Sequence, residues 1–150
     1  NSAHGKHESP STARLRAQFR EWVLDPLFPC VCAKVAVAND RFVFRAYQSF
    51  NSSYDTVRLC RDLSLFCLSQ TRHWEACTHD IITTFVACFE ESEPNLSSDD
   101  ESAENLFEQH LFSQLAAMRR HDPVTAAEAD ARGRFVFAGR SFFVAGLHPQ

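Results

Sequence analysis

Phe135-Val-Phe-Ala-Gly-Arg-Ser-Phe-Phe-Val-Ala-Gly-Leu-His-Pro-Gln150 closes the chain, and the pattern of this stretch sets what the rest has to supply. Two apolar runs flank Gly139-Arg140, and a two-residue loop with glycine first suits a type II′ hairpin turn. Such a turn sets Phe137 opposite Phe142, Val136 opposite Phe143 and Phe135 opposite Val144. Phe135, Phe137, Phe142 and Val144 then share one face, while Val136, Phe143 and Ala145 share the other. Both faces are apolar, so the hairpin needs cover on two sides, from protein or from a bound apolar group. Extended parity carries His148 onto the Phe137/Phe142 face unless Gly146 breaks the phase.

Working outward, Leu106/Phe107, Leu111, Leu115 and Met118 recur at helical spacing. Acidic residues lie at the start of this amphipathic helix and Arg119-Arg120 at its end, as the macrodipole favours, and Pro123 stops it. Before it, residues 90–104 carry Glu90, Glu91, Glu93, Asp99, Asp100, Glu101 and Glu104 and read as a solvated acidic loop. Residues 80–89 are rich in β-branched and aromatic side chains and predict a strand central to a sheet. Residues 57–68 predict a helix with Val57, Cys60, Leu63 and Cys67 on one stripe. Residues 28–38 and 41–47 predict a pair of antiparallel strands about an Asn39-Asp40 turn. Residues 12–24 predict a helix with Ser11 as N-cap, Leu15, Phe19, Trp22 and Val23 inward and Pro26 at its end. Residues 1–11 read as a disordered lead-in to a domain over 12–150. This order of elements predicts an α+β single domain with a mainly antiparallel sheet and surface helices.

A chain of 150 residues is long enough to bury roughly two-thirds of its unfolded surface without staples. Fourteen phenylalanines against two tyrosines and two tryptophans point to an aromatic core or an aromatic-lined cavity. A net charge of −4 and a pI of about 6.0 exclude a protein whose business is coating nucleic acid or an anionic membrane. No run approaches the ~18 apolar residues of a membrane helix, and no apolar signal core opens the chain, so a cytoplasmic location is expected. The six cysteines form no Cys-x-x-Cys pair and mostly sit inside apolar runs, as reduced buried thiols do. There is no Gly-rich phosphate loop, Gly-x-Ser-x-Gly elbow or His-Glu-x-x-His motif, which removes the commonest nucleotide, serine-hydrolase and zinc-protease readings.

Candidate chemistry rests on a few side chains. Cys30 and Cys32 share a face if their run is a strand, either as metal or redox groups or as small core residues. His73, Cys77 and His79 gather possible ligands, but they lack a fourth donor and match no familiar zinc spacing, so a polar loop is the better reading. His110 borders the apolar stripe of its helix, and His121 complements that helix's C-terminal dipole. His148 follows an aromatic strand, between Gly146 and Pro149, where an imidazole can serve either structure or iron ligation and proton transfer.

Phe28-Pro29-Cys30, Phe85-Val-Ala-Cys-Phe-Glu-Glu91, His121-Asp122-Pro123 and Phe142-Phe-Val-Ala-Gly-Leu-His-Pro149 occur in that order and together resemble the YqcI/YcgG family. The resemblance covers about residues 19–150, and Gly-Leu-His-Pro is its most specific part. Some members of that family are described as haem-dependent oxygenases that N-hydroxylate guanidino groups of arginine-like amino acids. The resemblance therefore implies a non-covalent haem b, an external electron donor and an amino-acid-like substrate, with a homodimer as a further expectation. It implies His148 as axial ligand to the haem iron and Cys30 as the second candidate. Arg45 and Arg140 are expected at the haem propionates, and Glu90 or Glu91 at a cationic substrate. The chain departs from the family's pattern at Cys32, where a large apolar residue is more usual. Members also generally continue past Gly-Leu-His-Pro, which makes a short member or a C-terminally truncated one the expectation. The reading from another class is a non-catalytic ligand-binding or stress-associated domain whose phenylalanines are core.

Overall fold

A computed structural model of the chain describes residues 8–76, 82–90, 100–124 and 135–147. Along it run α1 (Pro10–Leu24), α2 (Val31–Ala38), β1 (Phe42–Tyr47), α3 (Ser53–Ala76), β2 (Thr84–Phe89), α4 (Asp100–Arg119), β3 (Phe135–Phe137) and β4 (Arg140–Phe142). The class is α+β, but the expected mainly antiparallel sheet is overturned. Helices predominate, and the strands form only two two-stranded sheets, β1-β2 and β3-β4. The chain divides into two compact units, Asn1–Ala46 with Cys77–Cys88 and Tyr47–Ala76 with Phe89–Gln150.

In the first unit, α1 begins two residues before the expected cap. Ser9 is the N-cap, its Oγ accepting the Thr12 N–H at 3.1 Å, and Pro10 fills the first turn, where no amide partner is needed. The larger correction is residues 31–38, expected as a strand and found as α2. Val31, Val35 and Val37 suggested β structure, yet Ala33, Lys34, Ala36 and Ala38 are good helix formers, and tertiary packing decides between them. Ala36 and Val37 are fully buried, and Val37 joins Val23 and Phe28 in a core against which Phe19, Ala33 and Phe42 pack. Arg20 closes the C-terminal end of α2. Its Nη1 donates to the Val37 carbonyl at 2.7 Å, which also accepts the Asp40 N–H at 3.2 Å, and pairs with Asp40 Oδ1 at 2.6 Å.

With residues 28–38 helical, β1 takes a different partner. The Thr84 N–H donates to Arg41 O at 3.0 Å and the Glu90 N–H to Tyr47 O at 2.9 Å. Both pairings keep one offset along the chain, so β1 and β2 run parallel. Parallel neighbours need a long crossover, and α3 is the segment between them. β2 is thus one of two strands, not the centre of a wide sheet.

In the second unit, α3 extends well beyond the expected residues 57–68. Its entry is a buried polar knot. Asp55, 3% exposed, accepts the Gln48 and Ser49 N–H groups at 3.1 Å each and pairs with Arg58 at 2.9 Å. Gln114 of α4 accepts the Asn51 N–H at 2.7 Å and donates to Thr56 Oγ1 at 3.0 Å. Among the described residues no buried side-chain nitrogen or oxygen lacks a partner, so this knot fixes α4 against the start of α3 without an unsatisfied group. α4 itself begins inside the stretch read as an acidic loop. Residues 91–99 of that loop, like residues 1–7 of the expected lead-in, lie outside the described residues.

The closing hairpin keeps its faces and loses its expected register. Phe135 pairs with Phe142, Val136 with Ser141 and Phe137 with Arg140. The loop is Ala138-Gly139, both at positive φ (50° and 71°), which makes it a type I′ turn rather than II′. The slip is two residues, an even number, so Phe135, Phe137 and Phe142 remain on one face as expected. Moving the turn leaves Arg140 in a strand, where its Nη2 donates to Thr71 Oγ1 of α3 at 3.2 Å.

Candidate functional site

Within the second unit α4 has two working faces. Phe107, Leu111, Gln114 and Met118 form the inward stripe, of which Gln114 and Met118 are buried. Phe112, Leu115, Ala116 and Arg119, also at helical spacing, form a second stripe. This second stripe and Phe135, Phe142, Phe143 and Val144 line a cleft of about 350 Å³. That volume is at the lower end of small-molecule sites. Its rims are open, with Phe112 61% and Phe143 92% exposed. Large exposed aromatics beside an apolar cleft mark a surface kept for a ligand more often than a finished core.

Two contacts hold the cleft in shape. Asp122, just past α4, accepts the Val124 and Ala138 N–H groups on one carboxylate oxygen, each at 2.9 Å, and so ties the hairpin turn to the end of the helix. After β4 the chain passes close over the inward stripe. A side-chain carbon added at Gly146 would lie 2.7 Å from Leu111 Cδ2 and 2.9 Å from Phe107 Cε1. A methyl group there would require the Leu111 and Phe107 side chains to shift. Phe107 in turn meets Phe50 edge-on at 5.9 Å, and Phe50 stacks on Phe89 at 3.9 Å. The Gly-Leu-His-Pro stretch therefore starts from a fixed point on α4.

The electrostatics of the cleft are simple. Arg119 Cζ lies 6.0 Å from the centre of the Phe135 ring, a cation–π placement. Ion pairs among the described residues are Arg16–Glu8, Arg20–Asp40 and Arg58–Asp55, none of which involves Arg119. A second, smaller cavity of about 220 Å³ brings Cys60 and His121 to one wall with Val57, Arg61, Ser64 and Pro123. Burial, reinforced by the Asp122 carboxylate, pushes the Cys60 thiol up to about 11. Burial also raises Cys67, against the opposing effect of the Arg140 guanidinium. That environment disfavours the thiolate of Cys60.

The residues singled out in the sequence fall in different places. Cys30 is the N-cap residue of α2, half-buried against the Val23/Phe28/Val37 core, while Cys32 is exposed; the two lie on a helix, not on one strand face. Arg45 is exposed on β1 and donates to its neighbour's carbonyl, Phe44 O, at 2.9 Å. These belong to the first unit, whereas Glu90, exposed at the end of β2, and Arg140 belong to the second. His110 faces the Phe50 ring at 6.5 Å. His148 and Glu91 lie outside the described residues, as do Cys77, His79 and the His73 side chain. Arg119 is the residue that sequence reasoning missed. It was assigned to the helix dipole, although its spacing from Phe112, Leu115 and Ala116 places it on an apolar stripe.

For a haem, the donor set is informative. The cleft offers aromatic and aliphatic walls for a macrocycle and a guanidinium for a carboxylate. Its described lining residues include no histidine, cysteine, methionine or tyrosine to take iron, and no cluster of three metal-ligating side chains occurs among the described residues. The described residues thus fit the organic part of the group.

No described helix is long and apolar enough to cross a membrane. Compared with protein families, residues 19–150 match the model described as the YqcI/YcgG family. No curated protein and no solved structure matches the chain.

Proposed function

Because the chain belongs to the YqcI/YcgG family, we propose that it is a haem-dependent oxygenase that N-hydroxylates a guanidino or amino-acid-like small molecule, with haem b seated in the cleft between α4 and the hairpin. The observation that carries this reading is the course of the described part of the Phe142-to-Pro149 motif, residues 142–147. Its first three residues line the cleft, and its glycine is pressed onto Phe107 and Leu111. The motif's composition then has a physical reason: phenylalanines to wall the site, glycine to let the backbone approach α4, and His148 next in line.

When bound, the haem supplies dioxygen activation with electrons from an external donor. The chain's own residues have simpler tasks. Phe135 and Phe142 give the site an apolar wall, against which polar interactions are strengthened. His148 would hold the iron through an imidazole nitrogen. Glu90 and Glu91, following β2, are the carboxylates available for the cationic end of a guanidino substrate.

The test is purification with haem supplied, followed by absorption spectroscopy of the protein and of His148→Ala. The expected result is a Soret band that shifts or disappears in the variant. A protein that shows no Soret band is not a haem oxygenase. If it still binds an apolar fluorescent dye, and Phe143→Asp abolishes that binding, the second reading stands: a ligand-binding domain without a cofactor. That reading is favoured by the absence of an iron ligand among the cleft's described lining residues.

A further inference from the structure

Arg119 occupies the last turn of α4, on the stripe that faces the cleft, with its guanidinium over the Phe135 ring. Two circumstances separate it from an ordinary surface arginine. No acidic side chain pairs with it among the described residues, in a chain whose net charge is −4. The surface around it is apolar, so a charge pair formed there is less screened than one in open water. The end of α4 carries the negative pole of the helix and repels anions. Any attraction for a carboxylate at this rim has to come from the side chain.

The other arginines offered by the sequence are committed elsewhere. Arg140 donates to Thr71 Oγ1, and Arg45 donates to the Phe44 carbonyl. Arg120, next along the chain, is exposed and does not line the cleft.

We propose that Arg119 anchors the occupant of the cleft by pairing with its carboxylate, so that the site selects a flat apolar group bearing a carboxylate over the same group without one. The inference rests on the cleft's being a ligand site, and where that ligand is haem it names Arg119 as the propionate partner. A guanidinium fork meets a carboxylate through two parallel hydrogen bonds, which fixes orientation as well as position. Phe135 holds the fork in advance, so less side-chain freedom is lost on pairing.

The test uses metal-free protoporphyrin IX and its dimethyl ester, titrated into the full chain by porphyrin fluorescence. Neither probe carries iron, so His148 is not needed as a ligand. The wild type is expected to prefer the free acid. Arg119→Met should weaken the acid roughly 10-fold or more, the loss of a charge-assisted pair, and leave the ester within about twofold. Arg120→Met should change neither. Arg119 is exposed, so melting curves of the variants should coincide with the wild type's, which excludes misfolding as the cause. Equal weakening of acid and ester, no weakening of either, an equal loss in Arg120→Met, or a wild type that binds neither probe would overturn the assignment. The two readings fail separately. A His148-dependent Soret band with an acid affinity insensitive to Arg119→Met removes the anchor and keeps the oxygenase. Arg119-dependent acid binding with no Soret band removes the oxygenase and keeps the anchor.

Discussion

The two stripes of α4 are built from similar residues and do opposite things. Phe107, Leu111, Gln114 and Met118 are closed over by the start of α3, by Phe50 and by the backbone at Gly146, with the one polar member hydrogen-bonded at both ends of its amide. Phe112, Leu115, Ala116 and Arg119 face a cleft whose aromatic rims are left in water. Hydrophobicity alone does not distinguish the stripes. The distinction lies in what the described residues bring to each: a complete set of hydrogen-bond partners on one side, a cation without an acidic partner among them and exposed phenylalanines on the other. A finished face stabilises the fold, and an unfinished one is available for binding.

The sharpest way to break that comparison is to truncate one residue from each stripe. Met118 is 4% exposed and touches Cys60 through its own carbonyl, which accepts from Sγ at 3.9 Å. Met118→Ala should cost about 2–5 kcal/mol of stability, the range for emptying a core position. Phe112→Ser, on the other stripe, should leave stability within about 0.5 kcal/mol of wild type while lowering porphyrin or dye affinity. Urea titration with a porphyrin titration on the same samples reads both. Comparable stability losses in the two variants would mean that the cleft is closed in solution and the contrast is false.

Next in size is the contact that seats the chain after the hairpin on the inward stripe. Gly146→Ala sets a methyl group 2.7 Å from Leu111 Cδ2 and 2.9 Å from Phe107 Cε1. Overpacking of this kind typically costs about 1–3 kcal/mol. The chain beyond position 146 should also be re-aimed, so the Soret band, where present, should change along with the melting temperature. A stability loss with an unchanged haem spectrum would show that the glycine serves packing alone.

Much of this was legible in the residues, and the limits have definite causes. The amphipathicity of α4, the strand character of residues 84–89 and the shared face of Phe135, Phe137 and Phe142 follow from period and composition, which local sequence carries directly. The misreading of residues 31–38 has the opposite origin. Val31-Cys-Ala-Lys-Val-Ala-Val-Ala38 and Thr84-Phe-Val-Ala-Cys-Phe89 are both short apolar runs with β-branched members. One is helical because Ala36 and Val37 are buried at adjacent positions, as an inward helix face allows and a half-buried strand does not. Losing that strand cost β1 its expected partner, and the expectation of an antiparallel sheet went with it. Arg119 was hidden because a basic residue in a last helical turn already has a sufficient local explanation. Only the arrival of Phe135 and Phe142, distant in sequence, gives it a second one.

The smallest effect tests the turn that sets where the hairpin lies over α4. Ala138 takes a left-handed backbone with φ of 50°, and Gly139 follows at 71°. An L-residue with a Cβ is disfavoured there by roughly 1–2 kcal/mol, a strain glycine does not have. Glycine also widens the unfolded ensemble, which offsets about 0.4–1 kcal/mol of any gain. The balance predicts that Ala138→Gly stabilises the chain by about 0.5 kcal/mol. The Ala138 N–H to Asp122 survives the substitution, because a backbone donor makes it. Had the turn been type II′ on Gly139-Arg140, residue 138 would be an ordinary strand position, where the same change is destabilising by roughly 0.5–1 kcal/mol. The sign of the shift in the urea midpoint therefore reports the register of the hairpin, and with it which phenylalanines stand over the open stripe of α4.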